Sequence, residues 1–407
     1  MQKTRLRKYA QVLATCGVNI QPGQEVIIYA ALDQPEFVKL LVEECYKHKA
    51  SRVTVEWSYQ PLEKIHVRYR TVSNLSRVEE WEKAKLQHQV DTLPCTISLV
   101  SEDPDGLKGL NFKKLGKARR KKFPIINGYR SQMENRYQWC VAAVPGPEWA
   151  KKIFPGCRAS VAMEKMWAAI LDACRIGDDP VGAWERWNQD MQNRCDYLNT
   201  LGAEKLHYRS ANGTDLTIGM NPRAKFIVSG MTTLQGTFFL PNIPSEELLI
   251  TPMKGVVDGI AYATKPLSYQ GLLIENFWIR FADGKAVECF AEQNQKLLEE
   301  IIATDEGSAQ LGEVALVPYD SPICQSGILY YNTLFDENAA CHLALGRGYT
   351  DSLEGYETMT YEECIEAGVN DSMIHVDFMI GSADLSIEAI CKDGSVVPVF
   401  KDGNWAF

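Results

Sequence analysis

The chain has 407 residues, 45% of them hydrophobic and 23% charged, with a formal net charge of -9. That length exceeds what one compact core organises, so two or three domains are expected. The ordinary balance excludes a disordered chain, and the acidic excess argues against a dedicated nucleic-acid binder.

The opening Met-Gln-Lys-Thr-Arg-Leu-Arg-Lys leads into no apolar segment of signal length, and no apolar run approaches the roughly 20 residues that span a bilayer. The 12 cysteines are scattered singly from Cys16 to Cys391 without a C-x-x-C pair, as in a reducing compartment. A soluble cytoplasmic protein with no membrane partner is the expectation.

In chain order, the Pro22-Gly23 turn precedes a buried strand over Glu25 to Tyr29. Asp33 is placed to cap the next helix, whose inner face carries Phe37, Val38, Leu41 and Cys45. Val53 to Trp57 and Thr96 to Val100 read as further strands, and strands separated by helices predict a mainly parallel α/β sheet. No G-x-G-x-x-G or Walker pattern follows any of them, so no phosphate cradle is expected. The run from Lys113 to Lys122 reads as a solvated basic helix face, because no aromatic ladder accompanies it to stack bases. Two helices follow. One is capped at Ser160 with a Met163, Met166, Trp167, Ile170 stripe, and one opens at Pro180 with Trp184, Trp187, Met191 and Cys195 inward. Gly202 ends the second and divides an α/β domain, 1–202, from a C-terminal domain, 203–407.

Beyond Gly202 the pattern changes to short strands joined by tight turns. Leu206 to Arg209 and Leu216 to Ile218 flank an Asn212-Gly213 turn. Strands at 273–280, 286–290 and 313–317, a helix near 294–302 and a closing hairpin over 386–400 predict an α+β, largely antiparallel domain.

Of the six histidines, His48, His66, His88 and His207 have ordinary structural explanations. His375 stands apart. In Ile374-His375-Val376-Asp377-Phe378-Met379-Ile380 the alternation places His375 and Asp377 on one strand face, with Val376, Phe378 and Ile380 on the other. A His-Asp hydrogen bond in a core and a ligand pair both fit that pattern. Glu313 opens the apolar strand Glu313-Val314-Ala315-Leu316-Val317, a costly place for an unpaired carboxylate. Glu246 and Glu247 follow Asn242-Ile243-Pro244-Ser245, and His342 ends the run that begins at Phe335. Together these residues offer oxygen and imidazole donors without thiolate. Glu247, Glu313 and Asp377 with one hydroxide would balance two dications, a count that favours two ions over one.

The ordered blocks Asn242–Glu247, Leu311–Val317, Thr333–Ala339, His342–Gly346 and His375–Gly381 carry a resemblance over nearly the whole chain. The sequence resembles the thermophilic-type metallo-aminopeptidase family, M29. That resemblance implies an aminopeptidase acting on peptides with a free N-terminus through a water shared by two divalent ions, zinc, cobalt, manganese or magnesium. It implies metal ligation by Glu247, Glu313, His342, His375 and Asp377, with Tyr349 a further metal-site residue, and a homodimer. Glu313 and Tyr349 would serve catalysis, and Glu246 or Glu337 would act as general base. Two rivals stay open: a ring-cleaving dioxygenase with one iron on His342, His375 and Asp377, and an inactive peptide-binding dimer.

Overall fold

A computed structural model describes residues 2–269 and 271–407. The chain forms two compact units, one of residues 1–185 and 230–244, the other of 186–229 and 245–407.

In the first unit, Glu25–Ala31 is an interior strand of a five-stranded sheet whose middle strand is Cys95–Val100. Arg52–Ser58 lies on one side, and Cys95–Val100, Trp139–Ala143 and Asn242–Ile243 lie on the other, all parallel. The strand Glu25–Ala31 is almost wholly apolar because helices cover the sheet. Phe37, on the helix Pro35–Lys47, packs its ring 5.3 Å from Tyr9 and 5.5 Å from Trp167. That helix begins after Gln34, with no side-chain cap. Asp33 instead accepts a 2.8 Å hydrogen bond from the Ser101 hydroxyl, a tertiary contact that displaces the capping role its sequence position suggests. The helix Ala159–Ala173 likewise begins one residue ahead of Ser160 and has no side-chain cap. The basic helix Phe112–Arg130 runs longer than its lysine cluster, and some of that charge is paired, Arg119 with Glu63 at 3.2 Å and Lys122 with Glu82 at 3.2 Å.

The second unit is a sandwich of two antiparallel sheets. The larger holds nine strands, including the hairpin Ala203–Arg209 and Asp215–Met220, the pair Leu272–Ala282 and Lys285–Gln293, and the closing hairpin Ser386–Cys391 and Val396–Lys401. The smaller runs His375–Met379, His342–Gly346, Leu311–Leu316, Leu248–Ile250, Ile227–Val228 in spatial order. One apolar cluster joins the sheets. Leu206, Ile218, Phe277 and Ile279 of the larger meet Val314, Leu316, Leu343, Leu345, Val376 and Phe378 of the smaller. The Phe277 and Phe378 rings lie 6.0 Å apart.

Because successive side chains on a strand alternate between faces, burying Val376 and Phe378 turns His375 and Asp377 the other way. The register fixes what accompanies them. Asp377 pairs with Ala344, Ala344 with Glu313, and Ala315 with His342, so Asp377, Glu313 and His342 share the face away from the core. Phe378 is fully buried, and Phe378→Ala is expected to cost about 3–5 kcal/mol of stability, measured by denaturant unfolding. A loss below about 1 kcal/mol would mean that the two sheets are not held by this cluster.

Candidate metal centre

Four neighbouring strands bring the sequence-singled residues together. Glu247 immediately precedes Leu248–Ile250, Glu313 lies on the next strand, His342 opens the third, and His375 and Asp377 sit on the edge strand. The residues between them are small. Ala315, Ala344 and Gly346 form the floor, leaving space above the sheet for the longer side chains.

Side-chain atoms of Glu247, Glu313 and His342 fall within 4.8 Å of one another, and so do those of Glu313, His375 and Asp377. Glu313 therefore belongs to both groups. His342 Nε2 lies 3.4 Å from Glu247 Oε2, and His375 Nε2 lies 3.0 Å from Glu313 Oε2 and 3.1 Å from Asp377 Oδ1. Tyr349 Oη is 3.3 Å from the same His375 Nε2. Burial is deep, with Glu313 3%, Glu247 6% and His342 1% exposed.

Both imidazoles are fixed from behind. His375 Nδ1 donates to the Arg347 carbonyl at 2.7 Å, and His342 Nδ1 donates to the Ala340 carbonyl at 3.1 Å. A carbonyl only accepts, so each Nδ1 carries the hydrogen. Each Nε2, the atom facing the carboxylates, then either bears a second proton or presents a lone pair. A lone pair aimed at carboxylates is stable only with a cation between them, and a backbone carbonyl behind the ring is the usual support of a metal-ligating histidine.

The electrostatics agree. Burial opposes charge on His375, but the carboxylates of Asp377 and Glu313 outweigh it and push its pKa up to about 11. Burial also pushes Glu247 well above the ordinary carboxylate range, reinforced by the charges of Glu313 and Asp377. Glu337 is raised by burial and by Glu247, Asp377 and Glu313, which places it among the same charges. Asp377 is the exception: burial works to raise it, and the imidazoles of His375 and His342 bring it below its usual value. Its Oδ1 is buried without a hydrogen-bond partner, out of line with the nearby imidazole. Four acidic side chains against two histidines, with one oxygen orphaned, form a donor set that fits divalent cations and is costly without them.

Glu246 is fully buried and joins neither group; its backbone N–H donates to Asn338 Oδ1 at 2.7 Å. Sequence reasoning missed the supports. Thr251 Oγ1 accepts the Tyr349 N–H at 2.8 Å and lies 2.8 Å from the Tyr349 carbonyl, so one buried hydroxyl sets this tyrosine. Asn338 ties the Glu246 backbone to the Leu334 carbonyl, to which it donates at 3.0 Å. A buried Thr or Asn has no periodic signature. The fixed Arg347 carbonyl does leave one, Gly312, where a β-carbon would lie 2.3 Å from that oxygen.

A two-sheet antiparallel unit bearing buried carboxylates and imidazoles on one sheet face offers a metal centre, and the comparisons give the class of protein it belongs to. The model of the thermophilic metalloprotease family (M29) matches residues 2–405, and the chain belongs to that family. It is accordingly a metallo-aminopeptidase, a hydrolase of the exopeptidase kind. Aminopeptidase AmpS of Bacillus subtilis is 41% identical over 99% of this chain and 98% of its own length. Aminopeptidase 2 of Geobacillus stearothermophilus is 39% identical over the same shares. Wild-type AmpT from Thermus thermophilus superposes with a TM-score of 0.92 at 33% identity, over all of both chains. A 2,5-dihydroxypyridine dioxygenase from Pseudomonas putida superposes at TM-score 0.54 and 11% identity over all of this chain and 98% of its own, a likeness of fold alone. No helix among the described residues is long and apolar enough to cross a membrane.

Gly312→Ala is expected to push the Arg347 carbonyl away from His375 and weaken cation affinity about 10- to 100-fold, as loss of a support behind a ligating histidine does. Titration against a chromophoric chelator checks this, and wild-type affinity in a folded Gly312→Ala protein would show that the carbonyl does not orient the ring.

Proposed function

We propose that the chain releases the N-terminal residue of peptides at a centre of two divalent cations. Glu247 and His342 hold one, His375 and Asp377 hold the other, Glu313 serves both, and Tyr349 supplies a further group. The observation that carries this reading is the shared carboxylate of Glu313, common to two otherwise separate donor clusters. Neighbouring dications repel unless carboxylates lie between and around them. Glu247, Glu313 and Asp377, with Glu337 close by, supply the required negative charge. Zinc, cobalt, manganese and magnesium all suit oxygen and imidazole donors without thiolate.

When bound, such a cation pair polarises a scissile carbonyl and acidifies a water molecule. The chain supplies the rest. In the metal-free chain, burial of the hydroxyl and the charges of Glu313 and Asp377 raise the Tyr349 phenol, and beside bound cations the group would ligate one of them or donate a hydrogen bond to a developing oxyanion. Glu337, whose proton affinity rises with burial and the surrounding carboxylates, has the property a proton-transfer group needs. Its interaction with the charges of Glu247, Asp377 and Glu313 supports it as the general base, with Glu246 the alternative.

The single-iron reading needs His342, His375 and Asp377 in one triad, whereas the two clusters divide His342 from the other pair. The homodimer implied by the resemblance belongs to this proposal as well, and light scattering of the purified chain tests it.

Glu313→Ala is expected to lower turnover of amino-acyl arylamides at least about a hundredfold, beyond what loss of a mere supporting group costs. Near-normal turnover in that variant would sink the shared-carboxylate reading, and a wild type that binds peptides without releasing amino acids would favour the inactive rival. Cation affinity should also depend on pH. The metal-free His375 holds a proton at all pH values below about 11, and uptake must expel it. Affinity then falls on acidification by about tenfold per pH unit for each proton expelled. Binding in weak buffer should release protons; a pH-independent affinity would contradict the assignment of His375.

A further inference from the structure

A cleft of about 190 Å³ opens beside His375 and Asp377, with Leu267, Tyr269, Tyr331 and Met379 among its walls. A dry cavity of about 150 Å³ takes up benzene, so this space admits an isobutyl or benzyl side chain. Its position next to the ligand groups places it where the first side chain of a bound peptide would go.

One wall is built at a conformational cost. Tyr331 has φ +56°, the left-handed region that bulky residues rarely adopt and that persists only where surroundings enforce it. The enforcement is visible. Buried Asp336 accepts the N–H of Tyr330 at 2.7 Å and of Asn332 at 3.0 Å, gripping the chain on both sides of Tyr331. Asn332 Oδ1 accepts the Leu334 N–H at 3.1 Å, and the Tyr330 ring stacks on Phe335 with centroids 4.4 Å apart. Glycine would form this turn without strain, so a tyrosine here calls for a reason beyond the turn.

We propose that Tyr331 is a specificity-determining residue, forming the wall of the pocket for the substrate's N-terminal side chain, and that Asp336 is the positioning residue that holds it. The inference rests on the aminopeptidase reading above. The cleft, lined by Leu267, Tyr331 and Met379 and by the polar Ser268, Asn332 and Asp336, favours a bulky uncharged first residue over alanine, and the Asp336 carboxylate disfavours acidic ones.

The test compares kcat/KM for Leu-, Phe-, Ala- and Glu-arylamides in the metal-loaded wild type, Tyr331→Gly, Tyr331→Phe and Asp336→Asn. Tyr331→Gly removes the wall while relieving the backbone, so its melting temperature should hold. The expected result is a Leu-to-Ala ratio about tenfold lower in Tyr331→Gly, carried by KM, retained in Tyr331→Phe and reproduced in Asp336→Asn. An unchanged ratio in folded Tyr331→Gly, or a wild type that prefers Glu-arylamide, overturns the proposal. Turnover persisting in Glu313→Ala overturns the reading of the centre instead, and the Leu-to-Ala ratio still judges Tyr331.

Discussion

A carboxylate carried into an apolar interior must meet positive charge or lose its own, and Glu313 sits on a strand whose six residues are all buried. Its neighbours make the demand more severe, since Glu247, Asp377 and Glu337 crowd the same space and only two imidazoles answer them. The architecture of the C-terminal unit can be understood as the means of holding that arrangement. A large antiparallel sheet backs a small one, and the apolar side chains between them fix the small sheet's register. Alternation then forces every second residue of four strands onto one common surface.

Precision comes from the supports. Two backbone carbonyls hold the imidazoles by Nδ1 and aim Nε2 inward. A threonine hydroxyl sets the tyrosine, and a buried asparagine joins the glutamate segment to the loop before His342. Glycine at 312 and alanine at 315 and 344 act by what they lack, clearing space for a carbonyl and for the site itself. None of these groups touches a reacting atom. Under the proposed function each restricts a group that would, which is how a hydrolytic centre reaches useful geometry before substrate arrives.

Much of this was legible in the sequence. The His375-x-Asp377 alternation told which face the pair would take, because Val376, Phe378 and Ile380 had to be buried. Glu313 drew attention as an acid at the start of an apolar strand. The parallel and antiparallel halves followed from the spacing of strands and helices. What stayed hidden depends on tertiary contact. Asp33 has the local chemistry of a helix cap but is taken by Ser101, just past the strand Cys95–Val100. Asn242–Ile243 is too short to announce itself as a strand of the parallel sheet. Thr251 and Asn338 look like ordinary polar residues until the fold closes around them. Glu337 was one of two general-base candidates in the sequence, and its place among the charges of Glu247, Asp377 and Glu313 emerged from the fold.

The account turns on two cations sharing one carboxylate, and counting bound ions under equilibrium dialysis tests that most directly. The purified chain, stripped by chelator and dialysed against a single divalent metal, should take up two equivalents in the wild type, and Glu313→Gln should fail to hold the pair. Saturation at one equivalent in the wild type, or two retained in Glu313→Gln, would contradict it.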